Sequence, residues 1–140
     1  MEFRLKWREQ HVKRTNSQWR QVIPIATDPA SSQLERVGAL VIADRTFEYL
    51  LEAINWSGDS VGKKLTALKR IVPDFNEFAR ARAIRNKATH RLTKVRHKEL
   101  LLALLEYQRV FETLGVALEE KIELEAIRQN GAPMLRKYLN

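Results

Sequence analysis

The sequence contains no cysteine, which excludes a disulfide framework, a thiolate nucleophile, an iron–sulfur cluster and a cysteine-based zinc site. Three histidines argue against a metal centre. Five glycines and four prolines exclude collagen-like or linker-dominated architectures. No apolar run approaches the roughly 18 residues of a membrane span, and the opening Met1-Glu2-Phe3-Arg4-Leu5-Lys6 lacks a signal-peptide core. A cytoplasmic protein without a membrane partner is the expectation. What is present is ordinary for a globular chain: 140 residues, 44% hydrophobic and 30% charged, enough for one domain with a real core.

Charge is in excess and unevenly placed. The net charge is +8. From Arg80 to Lys98 the basic residues Arg80, Arg82, Arg85, Lys87, Arg91, Lys94, Arg96 and Lys98 occur with no acid among them. From Glu99 to Glu125 the sign reverses, with Arg109 and Lys121 the only bases. A second basic segment, Arg4, Lys6, Arg8, Lys13, Arg14 and Arg20, is interrupted by Glu9. Clustered positive charge attracts a polyanion whether or not sequence is read, so nucleic acid is the leading partner class, against a merely solvated basic face.

Helix signals are legible after residue 30. Ser32 and Glu35 form a capping box before Leu34, Val37, Leu40, Val41, Phe47, Leu51 and Ile54, predicting a helix over Ser32 to Asn55. Asp59 or Ser60 can cap a short helix ending at Pro73. Asp74 and Glu77 predict a second capping box, opening a helix that carries Phe75, Phe78, Ala81, Ile84 and Ala88. Leu100, Leu101, Leu104, Leu105, Phe111, Leu114, Leu118 and Ile122 keep helical spacing, predicting a long final helix that stops near Asn130-Gly131.

In the first 30 residues Phe3, Leu5 and Trp7 alternate with charge as in a strand, while Phe3 and Trp7 also fit a helical face. An extended arm is the favoured reading, linked by Pro24, Asp28 and Pro29 to the first long helix. The expected fold class is therefore all-α, an antiparallel bundle of four main helices. Its expected divisions are an arm over 1–31, the bundle over 32–130 and a tail over 131–140.

Two charges interrupt apolar stripes. Asp44 falls within Val37, Leu40, Phe47, Leu51, Ile54, and Arg85 within Phe78, Ala81, Ala88, Leu92, Val95. Burying either alone is costly, and the simplest pairing is Asp44 with Arg85. That pair reads as an ion pair locking two helices, as the support of a functional cleft, or as both. His90 follows Arg85 by five positions within the acid-free segment, and imidazole exchanges protons near neutral pH. In an unbroken helix that spacing separates two side chains by about 140°, so a shared cleft needs a helix end near Thr89 or a wide groove. Thr89 and Thr93 are weak helix formers, and Thr93 can cap the next helix, which predicts a break between Thr89 and Lys94.

The run Arg85-Asn86-Lys87-Ala88-Thr89-His90 resembles the R-x4-6-H motif of HEPN domains, in the form with Asn directly after Arg. Its setting is similar too: Phe78-Ala79-Arg80-Ala81-Arg82-Ala83-Ile84 runs into the motif, and a short basic link leads to a long apolar helix starting near Arg96. The resemblance covers about residues 32 to 125 and implies an all-α, HEPN-like bundle. It further implies a metal-independent endoribonuclease of the toxin or defence type, needing no cofactor and working as a homodimer whose two motifs face each other. Carried over by residue, His90 would move protons, Arg85 would hold the phosphate, and Asn86 would orient the phosphate or His90. Arg80, Arg82, Lys87, Arg91, Lys94 and Arg96 would form an RNA-binding rim, with Asp44 in support. Control by a separate antitoxin protein or by dimerisation is a further implication. In one branch a Tyr two positions after the motif His is the regulated residue; here that position is Leu92, so that route does not carry over.

Against the enzyme stands a non-catalytic module of the same fold that binds RNA or a protein partner and keeps the motif for packing. His97 reads as a polar residue at a helix N-terminus rather than a second proton carrier, and His11 receives no role. Trp7, Trp19 and Trp56 read as plugs at core edges rather than base-stacking platforms, and Tyr49, Tyr107 and Tyr138 carry no recognisable motif.

Overall fold

A computed structural model describes residues 6–54, 60–91 and 93–123. Among them the chain is all-helical, without a strand. The elements are α1 (Glu9–Ala26), α2 (Gln33–Ala53), α3 (Val61–Ile71), α4 (Phe75–His90) and α5 (His97–Thr113). No helix among these residues is long and apolar enough to cross a membrane.

The predicted starts of α2 and α3 form. Ser32 Oγ accepts from the Glu35 N–H at 3.1 Å while Glu35 Oε1 accepts from the Ser32 N–H at 2.9 Å, satisfying two N-terminal donors reciprocally. Ser60 Oγ accepts from the Lys63 N–H at 3.2 Å; Asp59, the other proposed cap, lies outside the described residues. α3 stops where Pro73 forces its predecessor Val72 into extended backbone, ψ 114°.

The predicted Asp74–Glu77 box is absent. Asp74 sits in the left-handed region, φ 52°, and its side chain does not cap α4, because a cap of that kind needs extended backbone at the first position. The turn is held from α5 instead. Arg109 donates to the Pro73 carbonyl and, at 3.1 Å, to the Asp74 carbonyl, and Glu106 fixes its guanidinium at 2.6 Å.

Two further expectations are corrected. Residues 9–26 are not an extended arm: α1 buries Trp19, Val22 and Ala26, a helical spacing that the alternation of Phe3, Leu5 and Trp7 obscured. Pro24 stands in the last turn, where the helix ends two residues later. Phe3 and Leu5 lie outside the described residues. The final helix is also shorter than expected. It ends at Thr113, where Gly115 adopts φ 91°. The Gly115 N–H reaches the Glu112 carbonyl and the Val116 N–H reaches the Phe111 carbonyl, the paired bonds of a Schellman stop. Leu118 and Ile122 kept helical spacing yet are buried in a non-helical return segment. The stop expected at Asn130-Gly131 and the tail over 131–140 lie outside the described residues.

That return segment is strapped down by two buried amides. Asn16 donates to the Ala117 carbonyl at 2.9 Å and accepts from the Glu119 N–H at 2.7 Å. Gln108 accepts from the Ile122 N–H at 2.6 Å and donates to the Ile122 carbonyl at 3.0 Å.

Aromatic rings tie the helices together. Edge-on contacts run from Trp19 on α1 to Phe111 on α5 (5.3 Å), from Tyr107 on α5 to Phe78 on α4 (5.1 Å), and from Phe78 to Phe47 on α2 (4.7 Å). Trp19 is a core residue and Trp7 donates to the Leu114 carbonyl at 2.8 Å, both packing roles as expected; Trp56 lies outside the described residues. His11 stands edge-on between Trp7 and Tyr49.

Candidate functional site

α4 carries the motif, and its two sides do different work. Arg82 and Arg85, three residues apart on one face, turn toward α2 and meet Asp44, which is only 1% exposed. The expected pairing is therefore formed, but its stronger half was missed. Arg82 Nε donates to Asp44 Oδ1 at 2.9 Å, whereas Arg85 Nε lies 3.5 Å from Oδ2 and has no hydrogen-bond acceptor among the described residues. Arg82 also stacks over Phe47 at 5.1 Å and lies 3.5 Å from Glu48. It is a structural ion-pair partner, 23% exposed, and not part of an open rim.

A third donor completes the cluster. The buried Tyr107 hydroxyl donates to Asp44 Oδ1 at 2.8 Å. Burial, then the Asp44 charge, push the Tyr107 phenol well above its ordinary range, so it remains a donor. Burial and then Asp44 also raise the Glu48 carboxyl. For Arg82, burial works against the charge, and the bond to Asp44, the Asp44 charge and the nearby Tyr107 and Glu48 together more than offset it. Sequence reading gave Tyr107 no role. The available signal was its place among the buried α5 residues Leu100, Leu104 and Phe111, because a hydroxyl on an apolar face needs an acceptor there.

The other side of α4 is open. Ala83, Asn86, Lys87, His90 and Arg91 line an open groove of about 340 Å³. Asn86, Lys87, His90 and Arg91 are exposed. Arg85 reaches this side at one point, donating from a terminal nitrogen to Asn86 Oδ1 at 3.0 Å. The helix runs unbroken through His90 and ends there, inside the expected window, with the Arg91 and Thr93 N–H groups on the Lys87 carbonyl. His90 is thus still helical and shares a groove with Asn86, while Arg85 sits round the helix at its edge.

The rest of the proposed rim is dispersed. Arg80 is 3.5 Å from Glu77 and faces the α3–α4 turn beside Lys69 and Arg70. Lys94 and Arg96 are exposed on the link to α5, and Arg96 precedes its first residue, its N–H on Glu99 at 3.2 Å. Thr93 does not cap that helix. The link is held from α2: Gln33 accepts from the Val95 N–H at 2.9 Å, and Arg36 donates to the Val95 carbonyl at 3.1 Å. Neither was singled out in the sequence. His97, at the N-terminus of α5 as expected, lies 2.8 Å from the Ala26 carbonyl. Leu92 lies outside the described residues.

Beside the motif is an apolar groove lined by Gln33, Leu34, Val37, Ala88 and Thr89, with Leu34 82% exposed. Among the described residues no group of three His, Asp or Glu side chains is arranged to hold a metal ion. Comparison with protein-family models, curated proteins and solved structures gives no match to this chain.

Proposed function

We propose that the protein is a metal-independent endoribonuclease of HEPN type, a toxin or defence effector acting in the cytoplasm and held in check by a separate antitoxin protein. The observation that carries this reading is the groove in which Asn86, Lys87, His90 and Arg91 stand together, with the Arg85 guanidinium bonded to Asn86 at its edge. Residue pairings support an antiparallel four-helix HEPN-like bundle of α1, α2, α4 and α5: His11 with Tyr49, Asp44 with Arg82, Phe78 with Tyr107, and Trp19 with Gln108.

In the proposed reaction, Arg85 and the basic groove hold the scissile phosphate. One His90 takes the proton from a ribose 2′-hydroxyl, whose oxygen attacks the adjacent phosphorus. His90 of the partner subunit protonates the departing 5′-oxygen as the P–O bond breaks, leaving a cyclic phosphate and a 5′-hydroxyl. The apolar groove around Leu34, contiguous with the motif through Ala88 and Thr89, supports a homodimer that brings two grooves together.

One observation favours the second reading, a non-catalytic module that binds RNA or a protein partner: Arg85 already faces the Asp44 carboxylate. Incubating a mixed RNA pool in EDTA with the wild type, Arg85→Ala and His90→Ala, after circular dichroism confirms folding, separates the two. Cleavage by the wild type alone, with cyclic phosphate ends, is the expected result. No cleavage at high protein concentration, or equal cleavage by His90→Ala, leaves the binding module as the answer.

A further inference from the structure

The Asp44 cluster holds two guanidinium groups unequally. Arg82 is fixed at three places: the hydrogen bond to Asp44 Oδ1, the Glu48 carboxylate and the Phe47 ring. Arg85 has one long ion-pair contact to Oδ2, and its Nε is a buried donor with no acceptor among the described residues. A buried donor in that position loses its water without gaining a bond, so its single long contact holds Arg85 to Asp44 only weakly. Asp44, for its part, does not depend on Arg85. Its Oδ1 takes two short bonds, from Arg82 at 2.9 Å and Tyr107 at 2.8 Å.

We propose that Tyr107, acting with Arg82 through Asp44, is a positioning residue for Arg85: by satisfying Oδ1 the two leave Arg85 aimed at the motif groove and free to transfer its guanidinium to a nucleic-acid phosphate. The inference rests on the ribonucleic-acid reading above and adds the residue that sets how readily Arg85 is released. Tyr107 never touches the substrate. Without its hydroxyl, Asp44 lacks one of its two short bonds, draws Arg85 inward to replace it, and leaves the phosphate with a weaker partner. Because the raised phenol stays protonated, the hydroxyl is a constant donor under working conditions.

The test is a double-mutant cycle on the full chain with Tyr107→Phe, Arg85→Ala and the combination, using a short 2′-O-methyl RNA that binds but lacks the nucleophile. Tyr107→Phe keeps the ring and its contacts with Phe78 and Phe111, so the fold is retained. The expected result is a loss of RNA affinity of about tenfold on Tyr107→Phe, the equivalent of one hydrogen bond to a charged group. No further loss should follow once Arg85 is already Ala. Equal loss in both backgrounds, or none in either, overturns the proposal, since a purely structural role does not depend on Arg85.

Urea unfolding of the same four proteins separates this from failure of the RNA reading. Arg85→Ala should raise the unfolding constant about tenfold more in the Tyr107→Phe background than in the native one, because Asp44 then relies on Arg85. A native protein that binds no RNA overturns both the RNA reading and the transfer to phosphate. The unfolding cycle decides the Tyr107–Asp44–Arg85 coupling in either case, and equal costs in the two backgrounds overturn it.

Discussion

Replacing Asp44 by Asn removes the charge at the centre of the cluster and keeps the shape. The amide oxygen can still accept from Arg82 and Tyr107, whereas the amide nitrogen then faces Arg85 Nε, donor against donor. Breaking a fully buried ion pair from one side costs about 3–5 kcal/mol. Here Arg82 and Arg85 are 23% and 20% exposed, so water recovers part of that cost, and about 2–3 kcal/mol is the expected destabilisation. For a chain of this size that lowers the melting temperature by about 5–12 °C. The measurement is urea unfolding followed by far-ultraviolet circular dichroism, with the slope against urea checked to be unchanged. A second substitution tests the cause. If the loss comes from stranded guanidinium groups, adding Arg82→Met removes one of them and should return part of the stability. A loss below about 1 kcal/mol for Asp44→Asn, or a double variant less stable than the single one, would refute the reasoning.

Glu48 tests the same cluster by pH. Burial and Asp44 raise its carboxyl above the ordinary value of 4.5, so its contribution to stability is full below that value and lost as pH rises and the carboxylate forms. Glu48→Gln should therefore gain on the wild type between pH 4 and pH 7 in urea unfolding; a gain in the opposite direction contradicts the assignment. Because the side chain is 52% exposed, the effect is expected to be small. Gly115→Ala should destabilise by about 1–2 kcal/mol in the same assay, because φ 91° places a Cβ against the carbonyl of the preceding residue. Leu34→Glu should convert the proposed homodimer to a monomer in sedimentation equilibrium without altering the helical spectrum, and an unchanged mass removes that face from the interface.

What was legible in the sequence was local. The Ser32–Glu35 box formed because both partners are three residues apart and need nothing else. Asp44 was readable as a charge on an apolar stripe, yet its main partner was not. Arg82 and Arg85 lie within one helical turn, and which of them meets the carboxylate squarely depends on the rotation of α4 against α2, a tertiary quantity. Tyr107 was readable as a hydroxyl on an apolar face, but its acceptor was not, for the same reason, since it is 63 residues away. The stop at Gly115 was available as a glycine after the last residues of a helix, but the apolar spacing through Leu118 and Ile122 continued past it. Those residues are buried by a return segment that happens to repeat the helical period. Around the motif, the acid-free run marked α4 as basic without distinguishing the arginines turned inward from the side chains open to the groove.

The amides of Asn16 and Gln108 bear on the order in which the chain can be made. Asn16 meets its backbone partners 101 and 103 residues later in the sequence. At a synthesis rate of about 5–20 residues per second, those partners emerge about 5–20 s after α1. For most of that interval α1 has α2 to pack against, but neither α5, which carries the partners of Trp19, nor the return segment that meets Asn16. The inner face of α1 is therefore completed late, after nearly all of the described chain is available. An early arrest of synthesis leaves the side chain of Trp19 without its covering, open to capture by any apolar surface nearby.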